Sequence, residues 1–141
     1  MRSEKCLGRH SLPNGLTVEF WDLSRHTAGD RWQVVVEARV PIPLTPENIP
    51  PELQDRRSEV ASALVASALG SPVMFIKQEV RNFIAEGEVP ALVQKIATEL
   101  FASIRGYLGH PEFAVRFIRK QFKEYQERQA WQQYLKENGT D

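Results

Sequence analysis

The sequence predicts an α+β domain: an antiparallel sheet of about four strands, in the chain order βββ-α-β-α-α, with helices packed on one face and a long C-terminal helix. Three observations carry this. Residues 31–44 alternate apolar and polar side chains with period two; Asn14-Gly15 separates two short alternating runs; and two C-terminal segments space their apolar residues as helices do.

Asn14-Gly15 tolerates positive φ at both centres of a type I′ turn, so it predicts a two-residue hairpin loop. In that register Leu12 faces Thr17, His10 faces Glu19 and Gly8 faces Trp21. In the next strand Trp32, Val34, Val36, Ala38, Val40 and Ile42 share one side, while Pro41 and Pro43 place its far end at an edge or outside the sheet. The proline-rich run 43–51 reads as an extended connector, followed by a helix whose apolar side is Val60, Ala61, Leu64, Val65, Ala68 and Leu69. SPVMFIKQEVRNFI returns to alternation, with Met74, Ile76 and Val80 on one side and Lys77, Glu79 and Arg81 on the other, a fourth strand. Leu92, Val93, Ile96, Leu100, Ile104 and Tyr107 then fall at helical spacing, and Gly109-His110-Pro111 ends that helix. The last helix carries two stripes, Ala114, Ile118, Phe122 and Tyr125 against Phe113, Phe117, Trp131 and Leu135. Residues 1–126 are expected to form the domain, and 127–141 a helical extension with a frayed tail.

Composition narrows the function classes. The 141 residues carry 18 basic and 18 acidic side chains, so no global field draws the chain to nucleic acid or to an anionic membrane. Cys6 is the only cysteine, which rules out an intrachain disulfide and fits a reducing compartment. MRSEKCLGRHSLPNG has no apolar core of the kind a signal peptide needs, and no apolar run approaches the roughly 20 residues of a membrane helix. A cytoplasmic protein with no membrane contact is expected.

The polar stretch DLSRHTAGDRW (22–32) gathers Asp22, Ser24, Arg25, His26 and Asp30 between two strands. It is the candidate ligand-binding or catalytic segment, with Asp22, Arg25, His26 and Asp30 as its side chains. Its residue types match a Ser-His-Asp triad, but a triad needs a serine–imidazole bond held by a rigid frame, and no nucleophile-elbow pattern occurs here. No catalytic residue is therefore assigned. Nor is a metal or cofactor expected: on one strand Cys6 and His10 would stand about 13 Å apart, too far for one ion to bridge. Asp22-x-Ser24 followed by Gly29 resembles the D/N-x-S-x-x-G element of PilZ domains, which bind a cyclic dinucleotide. The serine-to-glycine gap is longer here, and the R-x-x-x-R pair that would meet the phosphates is absent, so that resemblance fails. The expected role of 22–32 is to reverse the chain, with solvated charge around it.

On the last helix Arg116, Arg119, Lys120 and Lys123 lie within about 100° of arc, a basic face that could meet a phosphate backbone. Glu124 and Glu127 dilute it, which argues against nucleic acid as a partner. Trp131, Tyr134 and Leu135 lie beyond what a core of this size needs, and such residues are enriched at the centres of protein interfaces. They predict self-association as a homodimer, or docking of another protein. Finally, GLTVEFWDLSRHTAGDRWQVVVEARV, RNFI and HPEFAVRF resemble, over most of the chain, a family of small uncharacterised bacterial proteins. The resemblance implies a bacterial, cytoplasmic setting and supplies no activity. The expected function is that of a non-enzymatic binding or interaction module.

Overall fold

The computed structural model describes residues 4–54 and 58–138, the side chains of 58–60 excepted. The expected helix start before Ser58, the Val60 position and the frayed end at 139–141 lie outside the described residues. The chain divides into two compact units, one made of the residues up to Pro41 with Met74–Pro111, the other of Ile42–Val73 with the residues from Glu112 onward.

The first unit holds the sheet. Its strands are β1 (Lys5–Ser11), β2 (Thr17–Asp22), β3 (Arg25–Ala28), β4 (Arg31–Ile42) and β5 (Val73–Ala85), of which β4 and β5 each run one residue into the second unit. The sheet is antiparallel and open, with five strands where four were expected. The extra one, β3, comes from the segment read as a loop. β2 pairs with Glu37 and its neighbours on β4, β3 pairs with the start of β4, and Leu23 N–H reaches Val35 O (2.9 Å) between them. β2 and β3 thus lie end to end along one edge of β4, and β5 takes the other.

The first hairpin differs from its expected register by one residue. Ser11 faces Thr17, His10 faces Val18, Arg9 faces Glu19 and Gly8 faces Phe20. The loop has three residues, because Gly15 takes the left-handed conformation (φ 88°) while Asn14 does not, and Leu12 N–H bonds Leu16 O at 2.8 Å. Pro13 supplies the reason: its fixed φ near −65° suits the first centre of a type I turn, followed by one left-handed glycine. A further irregularity between Cys6 and Gly8 shifts the register again, so that Cys6 faces Trp21.

Val34, Val36, Ala38, Val40 and Ile42 are fully buried, as the period-two reading of β4 places them, but Val35 and Glu37 on the other side are buried as well, so the middle of the strand is covered on both faces rather than half-buried. Across this face runs α2 (Val89–Leu108), which buries Val93, Ile96, Leu100, Ile104 and Leu108 at helical spacing and leaves Tyr107 half exposed. Phe101 meets Phe20 edge-on at 5.8 Å, and Phe75 meets Tyr107 at 6.1 Å. The faces of β5 are reversed relative to the apolar pattern. Val73 and Phe75 are buried on the side that also carries Lys77, Glu79 and Arg81, whereas Met74, Ile76 and Val80 are exposed. Apolar residues occupy both parities at 73–76, so the pattern is degenerate there, and the large ring of Phe75 takes the core side.

The second unit contains two short 3₁₀ turns (Pro46–Asn48 and Pro51–Leu53), α1 (Ser58–Leu69) and α3 (Phe113–Asn138). Ile49, Ala61, Val65, Phe113, Ala114, Ile118 and Phe122 are buried. Leu64, expected on the apolar side of α1, is 46% exposed. No helix among the described residues is long and apolar enough to cross a membrane.

Candidate functional site

Residues 22–32 use their polar groups to shape the backbone. Asp22 Oδ1 accepts the Ser24 N–H at 2.9 Å, a local side-chain turn that ends β2. Ser24, itself buried, accepts the Val35 N–H through Oγ at 3.1 Å and so stands in for a missing ladder bond. Arg25 Nε donates to Gln33 Oε1 (3.0 Å) across the β3–β4 pair. His26 bonds the Gly29 carbonyl through Nε2, which requires the proton on that nitrogen, and its ring meets Trp32 edge-on at 5.6 Å. Gly29 turns the chain with φ 56°, and Asp30 Oδ1 lies 3.6 Å from Arg31 Nε. The structure therefore gives Arg25, His26 and Asp30 local partners along one exposed strand and its turn, and Asp22 a local partner at the half-buried end of β2. The Ser24 hydroxyl and the His26 imidazole engage different backbone groups, and these contacts assemble no nucleophile–base pair.

Two features escaped the sequence reading. A polar chain crosses the sheet face opposite α2: Arg9 Nε to Glu19 Oε2 at 2.6 Å, Trp21 Nε1 to Glu19 Oε1 at 3.1 Å, and the Arg39 guanidinium 4.7 Å from the centre of the Trp21 ring. It continues through the ion pair of Arg39 with the buried Glu37, whose other oxygen accepts from Gln78 Nε2 at 2.7 Å. The hydrogen bonds from Arg9 and Trp21 hold the Glu19 carboxyl below its ordinary value, and the bond to Glu19 raises Arg9. Glu37 is a buried charge whose two oxygens are both satisfied, the condition under which a sheet tolerates one.

The second feature is a groove of about 390 Å³ between β1, β2 and α2, with Gly8, His10, Phe20, Gln94, Thr98 and Phe101 among its walls. The His10 ring stacks on Phe101 with centroids 4.4 Å apart and 20° between planes. This corrects the expected pairing of His10 with Glu19, because the one-residue shift turns His10 to the α2 face and gives Arg9 the carboxylate. Pro13 before Asn-Gly was the signal for the longer loop.

On α3 the candidate basic face is partly neutralised. Arg119 forms a two-pronged pair with Glu52 (2.5 and 3.1 Å), and Arg116 bonds Glu112 at 3.1 Å one helical turn away. The bond to Arg119 lowers the Glu52 carboxyl below its usual range and in turn raises Arg119. Lys120 and Lys123 are exposed. Further along, every described residue from Gln126 onward is exposed. Trp131 (60%), Tyr134 (54%) and Leu135 (47%) lie there, with the two rings stacked at 5.4 Å and 15°.

Among the described residues, no cluster of three or more His, Cys, Asp or Glu side chains could hold a metal ion. Comparison with known proteins finds no matching family model, curated protein or solved structure.

Proposed function

We propose that this chain is a non-enzymatic protein-interaction module, and that the distal part of α3 is a docking arm that takes a second copy of the chain. One observation supports this most: Trp131, Tyr134 and Leu135 stand about half exposed on a helical stretch where every described neighbour is exposed too. Aromatic side chains with two rotatable bonds bury a large area on binding at small entropic cost, so a cluster of them in water marks a contact site better than scattered leucines do. The spacing 131, 134, 135 places all three on one side of the helix, the arrangement by which an amphipathic helix meets a partner. Against the nucleic-acid reading stand the Arg119–Glu52 and Arg116–Glu112 pairs, which take up half of the basic face.

Light scattering over a concentration series tests the proposal on the full chain and on the chain with Trp131, Tyr134 and Leu135 all changed to serine. A larger mass for the full chain than for the triple variant, by a margin that grows with concentration, is the expected result. Equal masses for the two chains at every concentration would overturn it.

A further inference from the structure

We infer that β5 is a second, independent contact surface, where its outer edge pairs antiparallel with β5 of another copy about a two-fold axis at Gln78. β4 has β2 and β3 along one edge and β5 along the other, so β5 ends the sheet on that side. It is also the longest strand, Val73–Ala85. A long edge strand presents a row of backbone donors and acceptors that template another strand.

What selects a second copy as the partner is the charge order along the strand. About a two-fold at Gln78, Lys77 of each chain stands opposite Glu79 of the other, on the α2 side of the continuous sheet. On the opposite side Ile76 meets Val80 in both directions, and these are the residues that the isolated chain leaves 54% and 40% exposed. Moving the axis to Lys77 or to Glu79 sets like charges against each other. Moving it to Val80 would oppose Glu79 to Arg81, but it would carry the ladder past Phe83. Phe83 has φ 60°, a conformation that a bulky residue in a regular strand does not adopt, and its ring is 82% exposed. The ladder therefore stops before it, and among registers that set no like charges against each other the axis at Gln78 gives the longest uninterrupted pairing, over 74–82. Charges on an edge ordinarily repel foreign strands. Here the same charges fit a copy of their own sequence.

Cysteine crosslinking reads the register directly. Directly opposed residues of an antiparallel pair have Cα atoms about 4.5–5.5 Å apart, within the range a disulfide spans. In the full chain with Cys6→Ser, Gln78→Cys should give a covalent dimer of twice the 16.1 kDa chain mass on mild oxidation. Ile76→Cys, about 13 Å from its own counterpart in this register, should not. Charge reversal is the second arm. In the chain whose Trp131, Tyr134 and Leu135 are serine, Lys77→Glu or Glu79→Lys should halve the mass, and the two together should restore it. Crosslinking at 76 as efficient as at 78, or single reversals that leave the mass unchanged, would overturn the inference. Failure of the α3 proposal reads out differently: the triple-serine chain would then keep its full mass, and the Gln78→Cys crosslink would persist.

Discussion

Two hairpins of the same sheet, made by similar turn chemistry, are held in different ways. The β1–β2 loop is anchored at a distance. Asn14 Nδ2 donates to the carbonyls of Leu108 (2.7 Å) and His110 (3.0 Å), groups that the end of α2 leaves without helical partners. Leu12 and Leu16, which flank the loop, are buried, and Pro13 lies so close to Gly109 that an added Cβ there would meet its Cδ at 2.7 Å. The β3–β4 turn is held mostly by its own exposed groups. Its bonds run His26 to Gly29, Thr27 to Arg31 and Arg25 to Gln33, its outward links are Glu86 N–H to Asp30 O (2.8 Å), Trp32 Nε1 to Glu86 Oε1 (3.2 Å) and Gln33 Nε2 to Asn82 Oδ1 (3.0 Å), and all of β3 is exposed. A turn motif thus names a reversal of the chain, and its burial decides whether the reversal matters to the rest of the unit.

The largest way to break this contrast is Phe20→Ala on β2. It removes a buried ring in edge contact with Phe101 and His10, and should cost about 3–5 kcal/mol in a urea melt. Gly109→Ala comes next, at about 1–3 kcal/mol, because neither the Pro13 ring nor the Arg105 carbonyl 3.1 Å away can move aside freely. Asn14→Ala leaves two helix-end carbonyls without their donor and should cost about 1–2 kcal/mol by the same measurement.

The Arg9–Glu19 pair sharpens the comparison through pH. Glu19 has its folded value lowered, so the stability it contributes is present above the ordinary carboxylate value near ~4.3 and is lost as pH falls through the lowered one. Glu19→Gln should therefore lower the melting temperature slightly at pH 7, and the gap from the unaltered chain should close in acid. His26→Ala, in the exposed hairpin, should change stability by no more than about 0.5 kcal/mol. A large loss there would show that β3 is coupled to the core and would erase the distinction.

Legibility followed the strength of the local pattern. β4 and α2 could be read because each repeats one period over several turns or pleats, so a single exception such as Tyr107 does not move the element. β5 could be placed but not oriented, since apolar residues at 73–76 satisfy either face. The hairpin at Asn14-Gly15 was visible, yet its loop length turned on one neighbouring proline, and one residue of slip moved His10 from a surface pair to a ring stack on Phe101. β3 was hidden altogether. RHTA has no apolar alternation, and it becomes a strand because the start of β4 offers it an open edge.

Taken alone, the sequence determined the fold class, the main strand and helix positions and the neutral charge, because these rest on periodicity and composition, which neighbours in the chain already express. It also marked Trp131, Tyr134 and Leu135 as surplus to the core. Tertiary structure decided the strand order, the face that β5 buries, the partners of Glu37 and Arg119, and which strands lie at the edges of the sheet. Those depend on which distant segments meet, and burial across such contacts outweighs the preference of any short stretch.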